Sequence, residues 1–259
     1  MRGAAGALLL PALLMSIAPA HAASGGPDAF GTTWTDSLEP GGPVFSWEAT
    51  TGQVTVPATS SAVVSLPFDF PFYGQEHSQV SVGDDGLLHF GGSYPGGINL
   101  CLPGLSTPTI AAFWDPWESG AGTVGTRVVG PAPNRAFVVA WQGTVHALTQ
   151  EAASFQVKLF EGGAIELHYL DADVGAPSSF GGTASVGIDS GDGSGLSVSC
   201  AQPSLDNGYA IRFDPPCSAP CGDDDDSADD DDSADDDDSA DDDDSADDDD
   251  SADDDDSAD

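Results

Sequence analysis

One stretch of the sequence, residues 154–169, decides the fold class: it reads SFQVKLFEGGAIELHY. Its first half alternates polar and apolar side chains, in the order Ser154, Phe155, Gln156, Val157, Lys158, Leu159. A period of two is typical of a β-strand with one face in the core and the other in water. The tripeptide EGG separates this run from a second apolar run, which is the pattern of a β-hairpin. We therefore predict a hairpin here, with Gln156 and Lys158 facing solvent.

Short runs separated by turn residues extend over most of the chain. GDDG at 83–86 separates the runs 79–82 and 87–90, and GPAPN at 130–134 separates 123–129 from 135–141. Further short strands are predicted at 54–56, 62–66, 184–188, 196–199 and 209–213. Helix signals are almost absent, and turns at this spacing favour antiparallel sheets. We predict an all-β fold, an antiparallel β-sandwich of about 10–12 short strands.

The segment LPFDFPFYG at 66–74 combines alternating aromatic residues with two prolines. Phe68, Phe70 and Phe72 share one face, whereas Pro67 and Pro71 have no N–H for a sheet ladder. This predicts an edge or bent strand that places its rings in the core. The alternative is a strip of aromatic rings that faces a ligand.

The first 22 residues have the form of a secretory signal peptide. Met1 and Arg2 precede an apolar run at 6–17, and Ala20-His21-Ala22 has the small-x-small form of a cleavage site. A buried N-terminal helix is the alternative. No later apolar stretch approaches the roughly 20 residues of a membrane span, so we expect no span after cleavage and a protein that is secreted or held at the cell surface.

The other end of the chain is a repeat. Six copies of DDDDSA fill residues 223–258 and Asp259 follows, so the repeat holds 25 of the 44 acidic residues. Such a segment buries no apolar surface and its charges repel, which predicts a disordered acidic tail at 223–259. Divalent cations, a basic protein or a cationic polymer would be its partners.

Residues 23–222 then form one module. It has 19 acidic residues and four basic ones, Arg127, Arg135, Lys158 and Arg212. Nucleic-acid binding is excluded because that function needs a basic surface.

Four cysteines remain, namely Cys101, Cys200, Cys217 and Cys221. An even number in an exported chain favours two disulfides, and three connectivities are open. We expect a long-range Cys101–Cys200 bond and a local Cys217–Cys221 bond. A zinc site is the alternative, although Cys217 and Cys221 are a pair without a matching second pair.

Several blocks, taken in their order, resemble a known family. They are LPFDFPFYG (66–74), VSVGDDGLLHFG (80–91), IAAFWD (110–115), FVVAW (137–141), SFQVKLF (154–160), GAIELHY (163–169) and ASVGID (184–189). The series resembles the extracellular module of plexin-domain-containing (tumour endothelial marker 7-like) proteins and its bacterial secreted relatives. It is distantly similar to the nidogen-type domain. The resemblance covers roughly residues 30–213 and implies a binding or adhesion module without catalytic residues.

Two groups of residues are candidate binding sites. Trp114, Asp115, Trp117 and Glu118 would suit a sugar, since aromatic faces stack on sugar rings and carboxylates accept their hydroxyl hydrogens. The alternative is that Phe113 and Trp114 plug one end of the sandwich while Asp115 hydrogen-bonds a turn.

Calcium is the possible cofactor, at Asp84, Asp85, Asp189 and Asp192. These carboxylates lie in glycine-rich loops, but the spacing around Asp189 lacks the alternating ligand pattern of calcium loops. Hairpin-turn chemistry is the alternative for all four.

Catalytic motifs are not found. The histidines at 77, 89, 146 and 168 form neither HxxxH nor HExxH, and no serine lies in GxSxG. We predict a non-catalytic secreted or cell-surface module that binds an unknown extracellular protein or glycan and carries a polyanionic tail. The alternatives are a secreted glycan-active hydrolase that uses the Trp114–Glu118 region, and a structural component of a surface assembly.

Overall fold

The computed structural model describes residues 22–216, which form a β-sandwich. Within this range there are fourteen strands, one 3₁₀ turn (Ser179–Gly181) and no α-helix. The strands are β1 (Ser24–Gly25), β2 (Thr33–Asp36), β3 (Gly52–Val54), β4 (Ser61–Phe72), β5 (Gln75–Gly83), β6 (Leu87–His89), β7 (Thr109–Trp114), β8 (Thr123–Val129), β9 (Ala136–Val145), β10 (Ala152–Phe160), β11 (Ile165–Asp171), β12 (Ser185–Asp189), β13 (Gly195–Cys200) and β14 (Tyr209–Asp214). The all-β prediction is confirmed.

The strands form two antiparallel sheets. The first has the order β1-β2-β14-β11-β10-β9-β8-β3, and the second has the order β13-β12-β7-β6-β5-β4. The three predicted hairpins are present, as β5–β6, β8–β9 and β10–β11. The turn patterns therefore identified three of the twelve strand pairings among the described residues.

The fourteen strands exceed the 10–12 predicted because β1, β2 and β7 were not recognised. In β7 all six residues are buried, so its sequence TIAAFW shows no alternation. One face of β7 contributes Ile110 and Ala112 to the main core, and Ala111 and Trp114 join a second apolar cluster. A strand that is covered on both faces has no polar side from which a period of two can be read.

The main core lies between the two sheets and includes the aromatic strip of β4. Phe68, Phe70 and Phe72 are all buried in it, which confirms their predicted packing role. β4 is the edge strand of the second sheet, and its pairing with β5 is irregular between Ser65 and Phe70. The prolines thus occur where the sheet does not need every N–H, as predicted.

The outer face of the first sheet is covered by residues 43–50, which we call the covering segment. Gln156 donates a side-chain hydrogen bond to the Ser46 carbonyl oxygen at 2.8 Å, and Lys158 Nζ donates to Ser46 Oγ at 2.6 Å. Both side chains are buried, so the prediction that they face solvent is wrong. The alternation in β10 is real, but its polar face is covered by another part of the chain.

The outer face of the second sheet is covered by the loop between β6 and β7, residues 90–108. Leu102 in this loop packs on Leu87, Ala111 and Trp114. A disulfide joins Cys101 to Cys200 at the end of β13, as predicted. The loop is therefore fixed by a covalent bond as well as by apolar contacts.

The remaining predictions about the two ends of the chain lie outside the described residues. They concern the signal peptide up to residue 21, the Cys217–Cys221 bond and the acidic repeat. Among residues 22–216, the structure has no helix with the length and apolar character required to span a membrane.

Candidate functional site

Two candidate regions from the sequence meet at one end of the sandwich. The turn between β5 and β6 carries Asp84 and Asp85, and the segment after β7 carries Asp115 to Ser119. Ser119 Oγ donates to Asp84 Oδ2 at 2.6 Å, and the Asp115 N–H donates to the Asp85 carbonyl oxygen at 3.3 Å. The turn approaches β7 closely at Gly86, where a Cβ atom would lie 2.4 Å from the Phe113 carbonyl oxygen.

Both tryptophans of the expected sugar platform are core side chains. Trp114 is 1% exposed and belongs to the second apolar cluster, whereas Trp117 is 6% exposed and belongs to the main core. The Trp117 ring meets Phe113 edge to face, and its Nε1 donates to the Phe113 carbonyl oxygen at 2.9 Å. The two rings therefore share no open groove, which corrects the expectation of a stacking platform.

The two carboxylates of that expected platform also lie in different environments. Asp115 is buried, where its Oδ2 accepts the Thr183 hydroxyl hydrogen at 2.6 Å. Glu118 is exposed and accepts a hydrogen bond from Gln150 Nε2 at 2.6 Å. Asp115 is thus a structural link between loops, and Glu118 is the accessible acid of the four predicted residues.

The contacts of Asp115 also include a histidine and resemble a catalytic triad in composition. His146 Nε2 lies 3.3 Å from Asp115 Oδ2, and His146 Nδ1 lies 3.2 Å from the Thr149 hydroxyl. However, the backbone N–H of Thr149 also donates to Nδ1, at 3.3 Å, and Thr149 follows His146 by only three residues. The contact therefore closes a turn, and the Asp115–His146 pair is held in the interior.

Asp84 and Asp85 have different environments although they are adjacent. The Asp84 carboxylate accepts three hydrogen bonds, from the Thr59 N–H at 2.7 Å, from Ser119 Oγ at 2.6 Å and from the Tyr94 hydroxyl at 3.2 Å. Asp85 is 8% exposed, and neither of its carboxylate oxygens has a hydrogen bond of normal geometry. Burial raises the pKa of Asp85 to about 6, and the Asp84 charge adds to this rise. The Tyr94 hydroxyl and the backbone N–H groups of Asp85 and Leu87 lie close to the carboxylate and oppose the rise.

The acids line two clefts on either side of Asp84. The first, the Asp85 cleft, has a volume of about 300 Å³ and is lined by Thr59, Asp84, Asp85, Tyr94, Gly96, Gly97, Pro116, Trp117 and Ser119. The second, the Glu118 cleft, has a volume of about 200 Å³ and is lined by Glu118 together with residues 53–56, 84, 120–124, 141 and 144. No lysine, arginine or histidine of the described residues lines either cleft. Both clefts therefore favour ligands that carry positive charge or hydrogen-bond donors.

The second pair of predicted calcium ligands is already satisfied by the protein. Asp189 is fully buried and accepts hydrogen bonds from the N–H groups of Gly104, Leu105 and Gly191 at 2.6, 2.9 and 2.8 Å. Asp192 is exposed and accepts from the Ser194 N–H at 3.2 Å. Amide donors that point at a carboxylate occupy its lone pairs, so we assign Asp189 to loop fixation rather than to calcium.

A third polar cluster was missed by sequence reasoning. Beneath the covering segment, Glu166 contacts His168 at 3.0 Å and Arg212 at 2.8 Å. Burial lowers the pKa of His168 and of Lys158. Burial acts to raise the pKa of Glu166, but hydrogen bonds from His168 and Arg212 bring it below its ordinary value. No local sequence pattern encodes the position of the covering segment over this sheet.

A family described as "NIDO related" matches residues 43–213, from the start of the covering segment to β14. The chain belongs to the NIDO-related family. Searches of curated proteins and of solved structures found no match.

The NIDO-related family agrees with the broader of the two resemblances. It supports the distant likeness to nidogen, while the closer likeness to plexin-domain-containing proteins stays a prediction. Domains of this kind are typically extracellular and non-enzymatic modules. The NIDO-related match starts after β1 and β2, although β2 pairs with β14 in the same sheet. The folded unit is thus somewhat longer than the family region.

Proposed function

We propose that this protein is a secreted or cell-surface, non-catalytic binding module that holds an extracellular partner at the end of the sandwich where the Asp85 and Glu118 clefts lie. The acidic repeat is proposed to keep the module soluble and to attract cationic partners. Family membership and the Cys101–Cys200 bond support an extracellular setting, because disulfides persist in oxidising compartments.

The observation that carries this proposal is that the buried Asp85 carboxylate lacks a hydrogen bond of normal geometry. A buried acceptor without a hydrogen-bond partner costs about 1–3 kcal/mol, more when it is charged, and a partner's donor groups would remove this cost. Hydrogen-bonding groups elsewhere on this end, at Asp84 and Asp115, are occupied within the protein. The Asp85 carboxylate is therefore the group to which a ligand would donate hydrogen bonds.

The hydrolase alternative receives no comparable support. It would need two accessible carboxyls across a cleft, and Asp115 is buried beside His146 while Glu118 is exposed. A screen on chromogenic glycosides with the full-length chain tests this directly. Turnover that is lost in Glu118→Gln would replace our proposal by the enzymatic one.

A matched pair of charge reversals tests the location of binding. Glu118→Lys changes the proposed surface. Glu76→Lys makes the same change near the start of β5, about 25 Å along that strand from the turn that carries Asp84 and Asp85. Both side chains are exposed, so both variants should fold. Arrays of extracellular proteins and glycans, probed with full-length chain, should show binding that Glu118→Lys weakens and Glu76→Lys preserves. Equal loss in both variants, or binding to no array component, would refute the proposal.

A further inference from the structure

We propose that the Asp85 cleft binds a primary ammonium group at the end of an aliphatic chain, as in a lysine side chain of an extracellular partner protein. This inference rests on the proposed function, because it names the chemistry of the partner at the surface described above. Three features of the cleft support this inference, namely its charge, its size and the route to the buried carboxylate.

The charge of the cleft selects a cation. Asp85 is more than nine-tenths buried beside Asp84, and neither of its oxygens has a hydrogen bond of normal geometry, although the Tyr94 hydroxyl and two backbone N–H groups lie nearby. An ammonium group offers three N–H donors and one positive charge. No basic side chain of the described residues lines the cleft to fill this role from within the protein. A ligand cation would therefore supply both the missing hydrogen bonds and the missing charge.

The size and walls of the cleft favour an organic cation. Its volume of about 300 Å³ is far larger than a single ion requires. Tyr94, Pro116 and Trp117 supply aromatic and aliphatic surface next to the carboxylate. The methylene groups of a lysine side chain pack on such surface while its charged end reaches a polar group. The combination of an acidic end and apolar walls matches an alkylammonium chain.

A calcium ion fits the same residues less well. Calcium takes six to eight oxygen ligands, including several carboxylates. The Asp84 carboxylate is already engaged by three hydrogen-bond donors, which leaves Asp85 as the free carboxylate of the cleft. Within residues 22–216, no three His, Cys, Asp or Glu side chains are grouped so that they would hold a metal. We therefore do not retain the calcium prediction for Asp84 and Asp85.

The route to Asp85 favours a linear chain over an amino sugar. Both Asp85 oxygens are shielded from solvent, and Tyr94 lies beside them. The Tyr94 hydroxyl, 3.2 Å from Asp84 Oδ1, would have to turn aside for a ligand to reach Asp85. An unbranched chain can pass the ring with its terminal nitrogen first. The amine of a hexosamine is attached directly to a wider ring, which is harder to bring past Tyr94.

The decisive experiment is an NMR titration of ¹⁵N-labelled full-length chain with Nα-acetyl-lysine methylamide. The amide of Gly86 and the indole N–H of Trp117 report on the cleft. We expect saturable shifts of both signals, and no such shifts with the norleucine analogue, which lacks the ammonium group. Asp85→Asn should weaken binding about tenfold or more, because an unpaired buried charge no longer attracts the ligand.

Controls separate the cleft from the acidic repeat. All variants retain the repeat, so its association with cations is the same in each titration. Asp192→Asn removes one exposed acid elsewhere and should leave the affinity unchanged. Ser119→Lys gives an independent variant, since Ser119 is exposed at the edge of the cleft. Its new ammonium group should occupy the site, raise the melting temperature and abolish binding of the probe, independently of the result with Asp85→Asn.

Several outcomes would overturn the inference. Equal binding of the norleucine analogue would show that the ammonium group is not recognised. Binding of glucosamine with similar affinity would indicate an amino-sugar site, and calcium-dependent shifts that Asp85→Asn removes, without lysine binding, would indicate a metal site. If the lysine probe fails while Glu118→Lys still abolishes partner binding, the proposed function stands and this inference falls. If the probe binds but no partner binding depends on this end, the proposed function falls.

Discussion

Asp115 and His146 face each other inside the protein, with 3.3 Å between Asp115 Oδ2 and His146 Nε2 and both side chains 1% exposed. His146 also forms a β-bridge with Trp117, whose ring it meets edge to face at 5.4 Å. Trp117 is one wall of the Asp85 cleft. The buried pair therefore packs directly behind one wall of the candidate site.

Asp115→Ala tests this structural role. It should lower the free energy of unfolding by about 1–3 kcal/mol, because it leaves the buried Thr183 hydroxyl without its hydrogen-bond acceptor. Urea denaturation measures the change. Glu118→Ala, three residues later but exposed, should stay within about 0.5 kcal/mol of the wild type. A loss of equal size in the two variants would mean that Asp115 has no special role.

Asp85→Asn should stabilise the unliganded protein at neutral pH. The folded-state pKa of Asp85 is about 6 against an ordinary value of 3.8, so the folded state binds the proton more tightly. Stability from this group is therefore present at acid pH and is lost as the pH rises between about 4 and 6. The advantage of Asp85→Asn over the wild type should grow across this window to the order of 2–3 kcal/mol. Melting curves at acid and neutral pH check it, and a constant difference would contradict it.

His168 has the opposite pH dependence. Burial and then the nearby positive charge of Lys158 lower its pKa, although contact with Glu166 acts to raise it. The unfolded chain therefore binds the proton more readily, and the folded state loses stability as the pH falls through about 6.5. His168→Gln should lose less stability than the wild type between neutral pH and pH of about 5. Parallel denaturation curves at the two pH values measure this, and identical acid sensitivity in both proteins would contradict it.

Gly86→Ala tests the turn that presents Asp84 and Asp85. Gly86 has a φ of +83°, and a Cβ atom there would lie 2.4 Å from the Phe113 carbonyl oxygen. We expect a loss of at least about 2 kcal/mol, from the left-handed conformation and the backbone clash together. Gly162→Ala is the matched control, since its Cβ would meet nothing within 4 Å. Similar melting temperatures for the two variants would show that the turn can relax.

The sequence predicted the parts of the fold that local patterns encode. Hairpins followed from turn residues such as Gly83-Asp84-Asp85-Gly86, and the edge position of β4 followed from Pro67 and Pro71. β7 was missed as a strand because burial on both faces removes the alternation. The predicted exposure of Lys158 was wrong because its side chain is covered by Ser46, which lies 112 residues away along the chain. Long-range coverage of this kind has no local signal.

The candidate site was predicted in composition but not in arrangement. Sequence reasoning named Asp84, Asp85, Trp117 and Glu118, and all four line the two clefts. It could not show that Trp117 is mostly enclosed, or that of two adjacent aspartates one is satisfied and the other is not. The difference between the two aspartates arises because Thr59, Tyr94 and Ser119, from other parts of the chain, donate hydrogen bonds to Asp84.

The position of β14 has a mechanical consequence. β14 is the last strand of the described chain, yet it lies inside the first sheet, between β2 and β11. A pulling force applied to the chain after Asp214 must therefore break the hydrogen bonds to two neighbours at once, rather than peel away one edge. A module that holds a partner at one end while it is anchored through its C-terminal side would resist tension at this strand.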